Sequence, residues 1–139
     1  MSHLYTATVT AEGGRNGKVV SEDGNLSLDV RMPKALGGPG GEATNPEQLF
    51  AAGYAACFDS ALALVIRTKK LSVDSTSVTA SVSLDKDPAD GGYLLSAKLN
   101  VKIAGVEADV AQQLVEAAHG VCPYSKATRG NIEVELSLA

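Results

Sequence analysis

Several stretches of the chain alternate apolar and polar residues with a period of two. In "LSLDVRM" the apolar positions are Leu26, Leu28, Val30 and Met32; in "VTASVSL" they are Val78, Ala80, Val82 and Leu84. "LSAKLNVKI" repeats the pattern with Leu95, Ala97, Leu99, Val101 and Ile103, and "IEVELSL" with Ile132, Val134, Leu136 and Leu138. The opening "LYTATVT" is a weaker example. Alternation of this kind puts one face in a core and the other in water, which predicts strands of an antiparallel sheet. Turn-forming residues separate the runs in "EGGRNGK", "EDGN" and "DPADGG", and "KVVSEDGNLSL" reads as a hairpin.

Two segments change to helical spacing. The first opens at "TNPEQ", where Thr44 or Asn45 can cap, Pro46 suits the first turn, and Glu47 complements the positive end of the helix dipole. It is predicted to run to about Lys69. The second, "VEADVAQQLVEAAHG", spaces Val110, Leu114, Ala117, Ala118 and Val121 as one helical face, with Gly120 as its expected end. "CPYSKATRG" restarts with Cys122 as an N-cap and Pro123 in the first turn, predicting a short third helix before the last strand. The order is strands, long helix, two strands, helix, short helix, strand: an α+β arrangement with the long apolar helix against sheet.

With 139 residues, the chain has the size of one domain. It holds no Trp and is only 4% aromatic, so the core must be built from Ala, Val, Leu and Ile. A net charge of −4 and scattered Lys and Arg argue against a nucleic-acid binder. The first residues lack the basic and apolar regions of an export signal, which leaves the cytoplasm as the expected compartment, where permanent disulfides are uncommon. From Gln48 to Ile66 the only charge is Asp59. That length approaches a membrane span, but Asp59 would be costly in lipid, and a buried core helix fits better. A helix apolar on nearly every side also needs a second cover. The small residues Ala51, Ala52, Ala55 and Ala56 would let another copy approach closely, which predicts a homodimer.

The two cysteines are the candidate chemistry. Phe50, Tyr54, Cys57 and Ala61 form one stripe of the long helix, so Cys57 has apolar, aromatic neighbours. Burial alone raises a thiol's pKa and makes it inert, and a buried structural cysteine is an equally good reading of these residues. A reactive Cys57 needs a cation, and Arg15 on the glycine-flanked "EGGRNGK" turn is a candidate, although a turn arginine is ordinarily just solvated. Cys122 at a helix N-cap faces free N–H groups, so local physics favours its thiolate. There is no CxxC, P-loop or dinucleotide fingerprint, and His119 with Cys122 makes a weak zinc motif. The glycines of "ALGGPGGEATN" read as a loop.

Taken together, "GGRNGKVVSEDGNLSLDVRMPKALGGPGGEATNPEQLFAAGYAACFDSAL" and "VCPYSKATRGNIEVEL" resemble the organic hydroperoxide resistance (Ohr) branch of the Ohr/OsmC family, over essentially the whole chain. The resemblance implies an OsmC-like α+β fold, with antiparallel sheets around a long central helix in an intertwined homodimer. It implies a cytoplasmic thiol peroxidase, with Cys57 the peroxidatic and Cys122 the resolving thiol. Arg15 would stabilise the thiolate and Glu47 would orient Arg15. The substrates would be alkyl and lipid-derived hydroperoxides. Dihydrolipoamide or a lipoylated protein would be the reductant, with no resident cofactor or metal. Phe50 and Tyr54 would line an apolar pocket for the alkyl tail, against the plain reading of helix packing. An osmotically inducible (OsmC-type) peroxidase and a non-catalytic binder of hydrophobic ligands are the alternatives.

On one straight helix, ten residues separate Glu47 from Cys57 by about 15 Å of rise and about 80° of rotation. One arginine head does not easily touch both. Two antiparallel copies of the helix would bring Glu47 of one near Cys57 of the other, which predicts a composite site with Arg15 and Glu47 supplied by the partner subunit.

Overall fold

A hairpin begins the regular structure: β1 (Val9–Glu12) and β2 (Gly17–Ser21) pair antiparallel, and β3 (Ser27–Val30) adds to the other edge of β2. The computed structural model describes residues 2–139. The chain divides into two compact units, one ending at Leu49 and the other running from Phe50 to Ala139. The "KVVSEDGNLSL" hairpin forms as its turn residues require. The first strand is shorter than its alternation predicts: residues 4–8 are exposed outside any strand, and pairing starts at Val9 opposite Ser21. β2 is five residues long, so upstream positions have no ladder to join. β3 is likewise shorter than "LSLDVRM", and only Val30 of its expected apolar face is fully buried.

After β3 the chain makes a 3₁₀ turn at Lys34–Leu36 and returns to the β3 edge. There the Arg31 N–H donates to the Thr44 carbonyl and the Thr44 N–H to the Asp29 carbonyl, both at 3.0 Å. This anchors the entry to α1 (Pro46–Thr68). Asn45 is the cap: its Oδ1 accepts the Gln48 N–H at 2.8 Å, and the Thr44 hydroxyl donates to Gln48 Oε1 at 2.9 Å. Pro46 at the first position lacks only an N–H that would have had no partner in the helix.

The second unit is a mixed sheet covered by helices. β4 (Ser75–Lys86) and β5 (Tyr93–Ala104) form a twelve-residue antiparallel hairpin, longer at both ends than the alternating runs. α2 (Ala108–Val121) and α3 (Pro123–Thr128) then lead to β6 (Glu133–Leu138). β6 pairs with β5 in parallel, which corrects the expectation of purely antiparallel sheet. Two helices separate β5 from β6, and a helical crossover returns the chain in its original direction.

One apolar core fills this unit. Tyr54, Phe58, Ala61, Leu62, Val65 and Ile66 of α1 pack with Ala97, Leu99 and Val101 of β5 and with Leu114, Val115 and Ala118 of α2. Each fully buried leucine of this set contributes about 1.5–3 kcal/mol. By length and composition α1 could cross a membrane. It serves here as the core helix, and its one internal acid, Asp59, accepts a hydrogen bond from the Thr76 hydroxyl at 2.7 Å. Its opposite face is open: Ala52, Ala56, Ala63 and Leu64 are exposed. α2 runs through Gly120 rather than stopping there, and Val121 lies on its exposed side. The buried stripe Ala111, Leu114, Val115, Ala118 continues instead into Cys122.

Candidate active site

In the first unit, Arg15 sits on the β1–β2 turn, which the Asn16 N–H closes onto the Gly13 carbonyl at 3.0 Å. Gly13 and Gly14 take the left-handed conformation (φ +82° and +58°) that favours glycine at these two positions. The turn aims Arg15 at the first residues of α1. Its guanidinium donates Nη2–H to Glu47 Oε1 at 2.8 Å and Nη1–H to Oε2 at 3.1 Å. This two-pronged pairing fixes the plane of the arginine as well as its position. The pair is half-buried, with Arg15 31% and Glu47 15% exposed, so solvent screens it only in part. The Asn16 side chain braces the turn by accepting the Met32 N–H at 3.3 Å.

In the second unit, Cys57 on α1 and Cys122 between α2 and α3 are free thiols with sulfurs 3.6 Å apart. A helix stripe and a helix junction 65 positions away thus meet in one place. Cys122 is completely buried and Cys57 is half-buried. Cys122 ends α2 and caps α3: its N–H donates to the Ala118 carbonyl, and its sulfur accepts the Ser125 N–H at 3.5 Å. Burial pushes the Cys57 thiol above its ordinary value of 9.0; the Tyr124 backbone N–H opposes this and the neighbouring Cys122 adds to it.

Behind Cys122 lies a buried polar network that the periodicity gave no reason to expect. Ser125 Oγ is 2.8 Å from the Tyr54 hydroxyl and 2.8 Å from His119 Nδ1, and Thr128 Oγ1 is 3.2 Å from the Tyr54 hydroxyl. Ser125 and Thr128 are 0% and 3% exposed. A neutral His119 accepting at Nδ1 takes the Ser125 proton, and Ser125 then accepts from Tyr54. Burial and the nearby Arg129 charge hold the His119 pKa below its usual range, which favours that neutral form. The sequence signal was present in "CPYS", which puts a hydroxyl three residues after the capping cysteine.

Tyr54 is wholly buried, while Phe50 is half-buried. Both rings meet Tyr124, with centroids 5.8 Å from Tyr54 and 6.5 Å from Phe50 in tilted and edge-on arrangements. Gly53 lets the Tyr124 ring lie close to α1: a Cβ there would come within 2.8 Å of the Tyr124 hydroxyl and the ring would have to shift. Tyr124, 41% exposed, is the outermost member of this aromatic group. Among the described residues, no group of three or more His, Cys, Asp or Glu side chains is arranged to hold a metal ion.

Residues 38–137 match the family model of the OsmC-like proteins. The chain belongs to the Ohr/OsmC family. It is 61% identical to the organic hydroperoxide resistance protein OhrA of Bacillus subtilis, across 98% of this chain and 96% of that one. Its fold superposes on the crystal structure of an organic hydroperoxide resistance protein from Legionella pneumophila with a TM-score of 0.94, at 51% identity and 99% coverage of both chains. The structure of OhrB of Bacillus subtilis gives 0.90 at 49% identity, covering 99% of this chain and 100% of that one. Identity at this level over nearly the full length puts the chain with the organic hydroperoxide resistance proteins of the family.

Proposed function

We propose that this protein is a thiol-dependent peroxidase that reduces organic hydroperoxides to alcohols in the bacterial cytoplasm. The observation that carries the reading is the 3.6 Å contact between the Cys57 and Cys122 sulfurs. The Cys57 thiolate attacks one peroxide oxygen, the O–O bond breaks, and the alkoxide leaves and takes up a proton as the alcohol. Cys57 is left as a sulfenic acid. The Cys122 sulfur then attacks Cys57, water departs carrying the Cys122 proton, and a disulfide forms. A dithiol of the lipoyl type, free or on a lipoylated protein, returns both thiols by exchange. The half-buried Cys57 is the thiol that a substrate can reach.

Because burial opposes the Cys57 thiolate, the chemistry at neutral pH requires a cation beside its sulfur. Arg15, held rigid by Glu47, is that cation in this reading, and it also stabilises charge developing on the peroxide oxygens. The open alanine face of α1 supports a homodimer in which a second copy covers the helix and its Arg15–Glu47 pair serves Cys57. Phe50 and Tyr124, backed by Tyr54, form an apolar wall suited to an alkyl tail.

The deciding experiment is turnover of an alkyl hydroperoxide with dihydrolipoamide, compared with a thioredoxin system. Consumption that depends on Cys57 supports the proposal. If one equivalent of hydroperoxide leaves both thiols titratable, the cysteines are structural and the reading fails.

A further inference from the structure

Cys122 is fully buried and Cys57 only half-buried, a difference in access that gives the recycling step a direction. We infer that the external thiol attacks the Cys57 sulfur of the disulfide, so the mixed disulfide forms on Cys57 and Cys122 is the leaving thiolate. The inference deepens the peroxidase reading and rests on it for its biological setting.

Thiol–disulfide exchange is an in-line displacement. The incoming sulfur approaches one disulfide sulfur from the side opposite the other, and which sulfur is attacked depends on access and on the leaving group. Cys122 has no exposed surface, and it lies at the end of the buried stripe of α2. Its sulfur sits at the α2–α3 junction, against the Ser125 N–H. An attack on Cys122 would have to pass through that packing. Cys57 keeps part of its surface open.

The leaving-group side agrees. A thiolate released inside a protein is costly unless a donor meets it. Cys122 has one, the Ser125 N–H at 3.5 Å. Ser125 is held in turn by Tyr54 and His119 through its hydroxyl, so this N–H is fixed before the bond breaks. Atoms and electrons balance: RS⁻ joins the Cys57 sulfur, the S–S bond breaks, and its electron pair stays on Cys122, which then takes a proton from solvent. A second thiol of the same reductant attacks the RS sulfur and frees Cys57. If the reductant is a monothiol, Cys122 is close enough to attack Cys57 again and expel it, restoring the disulfide. The same contact thus disfavours monothiols and leaves dithiols to complete the exchange.

The test uses the full-length protein oxidised with diamide, so no hydroperoxide enters and failure of the peroxidase reading would appear separately in the turnover assay. The disulfide form is mixed with excess glutathione, quenched in acid, alkylated after denaturation and mapped by mass spectrometry. Glutathione on Cys57 with the alkyl label on Cys122 is the expected result; glutathione on Cys122 overturns the inference. If reversal is too fast to trap the intermediate, the reaction of an aromatic disulfide with folded Cys122→Ser and Cys57→Ser decides. Cys57 in the first variant should react faster than Cys122 in the second, on the order of tenfold or more. Equal rates, or a faster Cys122, overturn the inference, as does failure of diamide to consume both thiols.

Discussion

The sulfur of Cys122, a residue sealed in the core at the α2–α3 junction, touches the sulfur of the half-buried Cys57 on α1 at 3.6 Å. A disulfide bond of about 2.05 Å therefore needs only a small closure of the two side chains. Cys57→Ser should abolish hydroperoxide consumption. Cys122→Ser should still consume one equivalent of hydroperoxide per chain but stop turning over with dithiol. Stopped-flow oxidation followed by thiol counting checks both. Steady-state activity in Cys57→Ser would exclude the assignment.

The second prediction concerns the Arg15–Glu47 pair. Arg15→Ala should lower kcat/KM for an alkyl hydroperoxide by on the order of 10²-fold, the scale of losing one preorganised charge donor. Arg15→Lys should restore little, since a point charge cannot make the two-pronged contact with Glu47. Glu47→Gln leaves the cation but loosens it, for a loss of roughly tenfold, the scale of one hydrogen bond to a charged group. In Arg15→Ala the pH midpoint for alkylation of Cys57 should rise above the ordinary thiol value of 9.0, because burial then acts without the cation. An unchanged midpoint would mean that Arg15 does not serve this sulfur.

The third prediction is a pH dependence of stability through His119, whose folded pKa is lowered by burial and by Arg129. The unfolded chain then binds the imidazole proton more readily than the folded one. Stability rises with pH wherever the unfolded state holds more protons. The contribution is complete above the unfolded imidazole value of about 6.5, and is lost as pH falls through it towards the lower folded value. Protonation would also turn Nδ1 into a donor and reverse the Ser125–Tyr54 hydrogen bonds. Denaturant midpoints at about pH 7.5 and about pH 5, on either side of the ordinary imidazole value, should differ less in His119→Gln than in the parent protein. An equal difference in both would show that His119 is not the titrating group.

The fourth separates the two units. Gly17 has no room for a side chain, because a Cβ there would overlap the Glu12 carbonyl across the β1–β2 turn. Gly17→Ala should displace the Arg15 turn and destabilise the protein by about 2 kcal/mol or more, as close-packed backbone clashes do. Peroxide turnover should fall, while diamide should still close Cys57 to Cys122 within the second unit. Loss of disulfide formation would show that the damage spreads beyond the turn.

Element types were legible in the sequence because they are local. The two-residue alternation of "VTASVSL" and "LSAKLNVKI", the Asn45–Pro46 cap and the turn glycines around Arg15 each act within a few residues, and the structure repeats them. Strand ends were less legible, since β1 stops where β2 offers no partner. The parallel return of β6 depends on a crossover of two helices, which no single segment encodes. The cysteines, arginine and glutamate could be named from their resemblance to a family, but their chemistry could not be read from their neighbours. Local sequence made Cys57 one more apolar-face residue and Cys122 a capping thiol. The polar network of Tyr54, Ser125 and His119 was hidden for the same reason, because a hydroxyl's partners can lie 71 positions away. The sequence by itself determined which segments are helix and strand and which faces are apolar. Only the tertiary structure decided that one thiol is sealed and the other open, because access and sulfur–sulfur contact arise from packing between elements far apart in the chain.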